Sequence, residues 1–193
     1  CNYIIQPQTL GLGHAVLCAK SAVGDDPFAV ILADDMILSS GIGCLSQMIA
    51  RYNSLDANII AVEKVEKSLL HNYGIIEGIR KANLKDWKVT SIIEKPENNK
   101  APSDLGVVGR YILNPSIFGI LENTQKGTGG EIQLTDAISS LITKEEVYAY
   151  EFNGKRFDCG SKLGFLKATI QYGLSHNELS EEFKKYLESL DLN

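Results

Sequence analysis

Phe28-Ala-Val-Ile-Leu-Ala-Asp34 carries the strongest structural signal in this chain, because an unbroken apolar run ends there at a carboxylate. Such a run is typical of a central parallel strand that is buried on both faces, here Phe28–Ala33. Apolar side chains then recur at helical spacing over residues 42–54, which predicts an amphipathic helix. Ala57–Val62 predicts the next strand. Strand, helix and strand in succession indicate an α/β fold.

The rest of the sequence adds strands and helices on both sides of this unit. Tyr73–Glu77 and Lys88–Glu94 are strands joined through a polar stretch, which predicts an antiparallel pair. The other predicted elements are a strand Tyr3–Ile5, a loop Gln6–Gly13, a helix His14–Val23, strands Leu105–Leu113 and Val147–Phe152, and helices Glu131–Thr143, Ser161–Tyr172 and Glu181–Leu190. No linker or repeat interrupts them, so residues 1–193 are expected to form a single domain.

Composition and charge narrow the classes of function. The 193 residues are 44% hydrophobic and 22% charged, as in globular proteins. The 19 Lys and Arg against 24 Asp and Glu give a net charge of −5, which disfavours nucleic acid as a partner but permits a local phosphate pocket. No apolar stretch reaches the ~20 residues of a membrane span, so no membrane partner is predicted. The four cysteines form no Cys-x-x-Cys pair and are expected to be free thiols in the cytoplasm.

Gly11-Leu-Gly13 opens a predicted helix, whose N-terminal N–H groups suit anions or polar rings. A dinucleotide fingerprint needs G-x-G-x-x-G/A after a strand, with an acid ~20 residues further on. Asp34 has the right spacing, but Val16 occupies the third glycine position and the preceding loop is too long for the tight first turn. The pattern therefore disfavours a dinucleotide site. The alternative that the glycines serve only as loop hinges stays open.

Three further stretches hold charged side chains where strands are predicted to end. Asp34 and Asp35 follow the first apolar run, and a carboxylate there suits Mg²⁺, with Asp34 preferred because Asp35 alternates to the other side. In Glu94-Lys-Pro96 a bend before proline would bring a sugar-binding carboxylate and a phosphate-binding ammonium together. Asp158, in Lys155-Arg-Phe-Asp-Cys-Gly160, is a second candidate metal ligand, the N-cap of the next helix, or both.

Each of these charged stretches also has a purely structural interpretation. Asp34 and Asp35 are equally compatible with solvated acids that cap a loop. Glu94 and Lys95 are compatible with a surface ion pair worth ~0–1 kcal/mol. His14, His71 and His176 form no cluster in sequence, so no metal-binding or nucleophilic role is predicted for them.

The stretches together resemble the bacterial UTP–glucose-1-phosphate uridylyltransferase (UDP-glucose pyrophosphorylase) family of nucleotidyltransferases. The matching stretches are Gly11-Leu-Gly-His-Ala-Val-Leu-Cys18, Phe28–Asp34, Tyr73-Gly-Ile-Ile76, Glu94-Lys-Pro96, Val107-Val-Gly-Arg-Tyr-Ile-Leu113, Gly129-Gly-Glu-Ile-Gln-Leu-Thr-Asp-Ala137 and Gly154-Lys-Arg-Phe-Asp-Cys-Gly160. The resemblance implies a Rossmann-like mixed sheet flanked by helices. It also implies a Mg²⁺-dependent enzyme that makes UDP-glucose and pyrophosphate from UTP and glucose 1-phosphate, usually as a homo-oligomer.

The resemblance also assigns roles to residues at matching positions. Asp34 and Asp158 correspond to the Mg²⁺ ligands, and with Lys95, which holds the sugar phosphate, they form the implied catalytic set. The implied substrate-binding set is Gln6 on the uracil edge, Gly11 beside the base, Tyr73, Gly74, Val108 and Gly109 with backbone around the glucose, and Glu94 on the sugar hydroxyls. Glu131 and Asp136 match signature positions whose roles the sequence does not separate from helix capping.

The chain departs from the family pattern at its start. It begins Cys1-Asn-Tyr-Ile-Ile5, without Met and without the glycine-rich loop whose Arg and Lys residues cradle the triphosphate. We therefore expect a C-terminal fragment of the domain. Two alternatives stay open: a related nucleotidyltransferase for another base or sugar, since Tyr-Gly-Ile-Ile and Glu-Lys-Pro occur across that group, and a fragment that binds sugar nucleotides without catalysis.

Overall fold

The structure is a computed structural model that describes residues 1–80 and 85–191. Its strands are β1 (Phe28–Ile31), β2 (Asp35–Leu38), β3 (Asn58–Lys64), β4 (Gly74–Arg80), β5 (Asp86–Glu94), β6 (Leu105–Leu113), β7 (Val147–Glu151) and β8 (Lys155–Asp158). Its α-helices are α1 (Leu12–Cys18), α2 (Lys20–Val23), α3 (Cys44–Leu55), α4 (Ser116–Leu121), α5 (Leu134–Leu141), α6 (Lys162–Leu174) and α7 (Ser180–Glu188). Short 3-10 helices cover Lys67–Asn72, Asn98–Lys100 and Thr128–Gly130.

These elements pack into two compact units. Unit 1 comprises Cys1–Ile31 and Leu45–Phe152, and unit 2 comprises Leu32–Cys44 and Asn153–Asn193. Both units are discontinuous in sequence, so neither is a simple half of the chain. The single domain expected over residues 1–193 stays a prediction.

Unit 1 is built on a six-stranded mixed sheet with the strand order β1-β6-β3-β7-β5-β4. β3 and β7 run parallel, and the other described pairings are antiparallel. Ile59–Val62 in β3 are buried almost completely, since β3 has a strand on each side and helices cover the sheet. Phe118 of α4 and Ile138 of α5 belong to the same core cluster as Ile60 and Val62. A mixed sheet flanked by helices confirms the predicted fold class.

The pairing predicted for the first apolar run is wrong. Among the described residues β1 pairs with β6 alone, and this pairing is antiparallel rather than parallel. Its residues alternate between partly buried and exposed, and Ile31 is 53% exposed. A continuous apolar run does not by itself show whether a strand pairs parallel or antiparallel, because the partner strand β6 is remote in sequence.

Other predicted elements differ in extent. Tyr3–Ile5 is not a strand: no described strand pairs with it, and Tyr3 is 94% exposed. The first predicted helix begins earlier, at Leu12, and is divided at Ala19 into α1 and α2. The antiparallel pair β4–β5 and the strand Leu105–Leu113 are confirmed.

Unit 2 consists of a two-stranded antiparallel sheet, β2 with β8, and the helices α6 and α7. Neither β2 nor β8 was predicted from the sequence. For β8 the reason is that the charged residues of Lys155–Asp158 resemble a turn. The Phe157 ring meets the Tyr172 ring edge-on, with centroids 6.3 Å apart, which anchors α6 to β8. Among the described residues, no helix combines the length and the apolar character that crossing a membrane requires.

Candidate active site

Gln6 lies in the loop that leads into α1, and its side-chain NH₂ group has two partners. Its Nε2 atom donates to the Gly11 carbonyl at 3.0 Å and lies 3.1 Å from Nδ1 of His14. Gly11 has φ 88° and ψ −179°, a conformation that is essentially restricted to glycine. Because other residue types rarely adopt this conformation, a substitution of Gly11 would turn its carbonyl away from Gln6.

The glycines of this loop also permit close packing against the segment that precedes α5. The Gly13 N–H donates to the Ile132 carbonyl at 2.9 Å, and the Ile132 N–H donates to the Leu10 carbonyl at 2.8 Å. A Cβ atom on Gly13 would lie 2.6 Å from the Ile132 oxygen, and one on Gly11 would lie 2.7 Å from Cβ of Glu131. The two glycines thus act as close-contact positions as well as hinges.

Glu94 at the end of β5 is held by a residue that the sequence did not single out. The Thr135 hydroxyl in the first turn of α5 donates to Oε2 of Glu94 at 2.8 Å. A Cβ atom on Gly74 would lie 2.8 Å from Cγ2 of Thr135 and 3.2 Å from Oε2 of Glu94. Gly74 therefore leaves space beside the carboxylate. Thr135 belongs to the family-like stretch Gly129–Ala137, which was the one sequence signal that could have pointed to it. Nothing in that stretch indicated that Thr135 would contact β5.

Lys95 follows Glu94 at a bend in the backbone. Its φ is +45°, its N–H donates to the Tyr73 carbonyl at 3.0 Å, and Nζ lies 3.7 Å from Oε1 of Glu94. The Glu94 side chain is 13% exposed, whereas the Lys95 side chain is 49% exposed. This is not an ion pair of two solvated surface residues, because the carboxylate is largely buried and also accepts the Thr135 hydrogen bond.

Val108 and Gly109 lie in the middle of β6, where the pairing with β3 is irregular. The register between these strands shifts between Ile60, opposite Tyr111, and Val62, opposite Val107. Val108 and Gly109 fall within that irregularity and are buried. Bulges of this kind are frequent beside binding sites, because they redirect backbone groups out of the regular ladder.

Glu131 and Asp136 flank the start of α5. Glu131 is exposed and accepts a hydrogen bond from Nε2 of Gln133 at 3.1 Å. Asp136 lies in the first turn of α5, and burial raises the pKa of its carboxyl. Neither residue caps the helix, since the N-cap is Gln133 and makes no side-chain capping bond.

Unit 2 brings Asp34 and Asp158 together around Gly160. Asp34 lies in the turn before β2, and Asp158 ends β8. The Cys159 N–H donates to the Asp34 carbonyl at 2.7 Å, and the Gly160 N–H donates to Oδ1 of Asp158 at 3.0 Å. A Cβ atom on Gly160 would lie 3.1 Å from Oδ1 of Asp158 and 3.4 Å from Oδ2 of Asp34. Carboxylate oxygens from two separate segments therefore border one small space.

The contacts of Asp35 and Ser161 bear on two of the sequence-based alternatives. Asp35 is buried and pairs with Arg156, so its carboxylate is not exposed as that of Asp34 is. The alternative in which Asp158 is the N-cap of α6 is wrong, because Ser161 is the N-cap and its hydroxyl accepts from the Gly164 N–H at 3.0 Å.

The donor set at Gly160 fits Mg²⁺. Both donors are carboxylates, and Mg²⁺ is commonly held by one or two carboxylates while water and substrate phosphate complete its shell. No group of three or more His, Cys, Asp or Glu side chains suited to a metal occurs within residues 1–80 and 85–191.

Comparison with known proteins defines the class. A sequence model described as "Nucleotidyl transferase" matches residues 1–173, and the chain belongs to this family. Two curated relatives are each named UTP–glucose-1-phosphate uridylyltransferase: one from Staphylococcus epidermidis, 43% identical over 190 residues, and one from Bacillus subtilis, 42% identical over 189 residues. Each alignment covers 98% of this chain, and 65% and 64% of the respective relative.

Solved structures give the same result. A UTP-bound UGPase from Acinetobacter baumannii is 50% identical with a TM-score of 0.86, covering 96% of this chain and 64% of the other. A UDP-glucose pyrophosphorylase complexed with UDP-glucose is 40% identical with a TM-score of 0.87, covering 91% and 66%. The resemblance deduced from the sequence is confirmed. The chain spans about 65% of the length of the curated relatives it matches.

Proposed function

We propose that the protein transfers the uridylyl group of UTP to glucose 1-phosphate, which yields UDP-glucose and pyrophosphate. The observation that carries this proposal is the meeting of Asp34 and Asp158 around Gly160 in a chain with such relatives. Two neighbouring carboxylates suit metal-assisted phosphoryl transfer, because they can hold a cation that neutralises phosphate charge.

Unit 1 supplies the proposed contacts to the base and the sugar. Gln6 and the Gly11 backbone bind the uracil, and backbone at Tyr73–Gly74 and Val108–Gly109 surrounds the glucose. Glu94 accepts hydrogen bonds from the sugar hydroxyls. Its carboxylate is suited to that task because the Thr135 hydrogen bond fixes one oxygen while the other lies toward Lys95.

The proposed reaction is a single in-line displacement. A phosphate oxygen of glucose 1-phosphate attacks the α-phosphorus of UTP, and the bond to the β-phosphate breaks with its electron pair leaving on pyrophosphate. Lys95 neutralises the attacking phosphate, and the bound groups hold the reacting atoms in line. Mg²⁺ held by Asp34 and Asp158 would neutralise charge that develops on the α-phosphate.

The four free cysteines favour the cytoplasm, and the family resemblance favours a homo-oligomer. Sedimentation of the purified protein at micromolar concentration tests the oligomeric state, and a mass equal to that of one chain would contradict it.

The function is tested by incubating the full-length protein with UTP, glucose 1-phosphate and Mg²⁺ and measuring pyrophosphate and UDP-glucose. We expect both products in equal amounts, a requirement for Mg²⁺, and a clear preference for UTP over CTP and TTP. Turnover with another nucleotide or sugar phosphate instead would support the related-transferase alternative. UDP-glucose binding by calorimetry without any turnover would support a non-catalytic binding protein.

A further inference from the structure

His14 is a residue to which the proposed mechanism gives no role, yet it contacts Gln6. We infer that His14 locks the side-chain amide of Gln6 in one orientation and thereby determines which nucleobase the protein accepts. This inference rests on the proposed function, in which Gln6 contacts the base. It makes His14 a positioning residue, because it acts through Gln6.

The Gly11 carbonyl fixes which way the Gln6 amide faces. A backbone carbonyl is only an acceptor, so the group 3.0 Å from it must be the NH₂ of Gln6 rather than the side-chain oxygen. The glycine-only conformation of Gly11 holds that carbonyl in place. The side-chain oxygen and nitrogen of a glutamine have nearly the same shape, so shape alone does not assign them. Here the Gly11 carbonyl assigns them, because it can only accept a hydrogen bond.

The amide orientation in turn fixes the tautomer of His14. The same Nε2 atom of Gln6 lies 3.1 Å from Nδ1 of His14, so Nδ1 must accept and carry no proton. The proton of the neutral ring is then on Nε2, which lies 3.8 Å from Sγ of Cys18 one helical turn further along α1. Sulfur is a weak acceptor, so this last contact is consistent with the tautomer but does not determine it.

Both N–H bonds of the Gln6 amide are used in these contacts. The side-chain oxygen Oε1 is therefore the atom of the amide that can contact a base. No described residue donates to that oxygen. An oxygen held as an acceptor suits a ring that presents an N–H, as uracil does at N3. Cytosine presents a lone pair at N3, so two acceptors would face each other. Sites built on hydrogen bonds reject rings that leave their polar groups unpaired.

The test compares two replacements of His14. His14→Phe keeps a ring but offers Gln6 no acceptor, so the amide is free to turn and present its NH₂ to cytosine. His14→Asn places an amide oxygen near the position of Nδ1 and restores the acceptor. Cys18→Ala, one turn away on the same helix, removes only the weak terminal contact.

We would measure dissociation constants for UTP and CTP by calorimetry, together with KM and kcat for both nucleotides. The expected ratio of UTP to CTP affinity falls at least ~10-fold in His14→Phe, and is retained within about twofold in His14→Asn and Cys18→Ala. The change should appear in KM rather than kcat. If His14→Phe does not fold, as judged by thermal unfolding, His14→Ala takes its place.

The outcomes separate this inference from the proposed function. Wild-type protein that binds UTP and CTP equally would refute the uridylyl assignment itself. Wild-type protein that prefers UTP, with the same preference in His14→Phe or His14→Ala, would refute only the role of His14. If Cys18→Ala lost the preference for UTP over CTP to the same extent, the Gln6–His14 contact would not be what orients the Gln6 amide.

Discussion

The two units build their candidate site residues in opposite ways. In unit 1, Gly13 and Gly74 are buried and touch other segments at distances that exclude a Cβ atom, and Glu94 is largely buried. In unit 2, Asp34 and Asp158 are exposed. The Cys159 N–H donates to the Asp34 carbonyl beside the β2–β8 pair, and the Gly160 N–H donates to the Asp158 carboxylate within one turn. Close packing therefore positions the first set, whereas backbone hydrogen bonds at exposed turns position the second. Substitutions in unit 1 should affect folding and function together, whereas those in unit 2 should affect function alone.

The largest expected effect is a loss of turnover in unit 2 without a loss of stability. Asp34→Asn and Asp158→Asn each remove one negative charge from the proposed Mg²⁺ site and should lower Mg²⁺-dependent kcat about 10²–10³-fold, the scale of losing one electrostatic stabiliser. Their unfolding free energies should stay within about 0.5 kcal/mol of wild type, because both side chains are exposed. Pyrophosphate release and urea unfolding check the two parts.

Glu182→Gln, on the exposed side of α7, is the matched control for a lost carboxylate in the same unit. It should change neither quantity. Normal activity in Asp34→Asn would refute the metal assignment, and a large loss of stability in it would refute the contrast between the units.

The second effect is a loss of stability in unit 1. Gly13→Ala should cost about 1–3 kcal/mol of unfolding free energy, because the new Cβ atom would meet a backbone oxygen 2.6 Å away. Gly119→Ala is the matched control, since Gly119 also lies in a helix but has open space where the Cβ atom would go. It should stabilise by about 0.4–1 kcal/mol. Equal urea midpoints for the two variants would contradict the packing argument.

The same contrast explains what the sequence could and could not predict. The strand Leu105–Leu113 was predictable from its own apolar residues, because sheet burial leaves a local pattern. The β2–β8 pair was missed because its register joins Asp35 to Asp158 across most of the chain, and no local pattern records such pairing.

The candidate site follows a similar division. Asp34, Glu94, Lys95 and Asp158 were identifiable as charged residues at predicted strand ends or turns. The contact of Thr135 with Glu94 and that of His14 with Gln6 were not, because each depends on a tertiary approach between a helix and another segment. The sequence therefore predicted which charged side chains are candidates and where they lie along the chain. It did not predict which other residues contact and orient them.

A smaller effect distinguishes binding from folding within unit 1. Thr135→Val keeps the shape of the side chain but removes the hydroxyl that donates to Glu94 at 2.8 Å. Without this donor Glu94 is held less firmly for the sugar hydroxyls, so KM for glucose 1-phosphate should rise about fivefold, which corresponds to about 1 kcal/mol. KM for UTP should change much less, since Gln6 and Gly11 are assigned to the base.

Thr135→Ser retains the hydroxyl and is the control. It should keep KM for glucose 1-phosphate within about twofold of wild type if the hydrogen bond to Glu94 is what matters. An unchanged KM in Thr135→Val would mean that Glu94 does not need this partner to bind the sugar.

The smallest effect concerns Asp136, whose pKa is raised by burial in the folded protein. A carboxyl with a raised folded pKa stabilises the fold only while it is protonated, so this contribution is present below the unfolded pKa and is lost as pH rises through the folded pKa. Asp136→Asn stays neutral and should therefore unfold less readily than wild type at pH 7. The difference should vanish as the pH is lowered below the unfolded value. Urea unfolding at several pH values between 3 and 7 measures it, and a variant less stable than wild type at pH 7 would show that hydrogen bonds or the dipole of α5 favour the charged form more than burial opposes it.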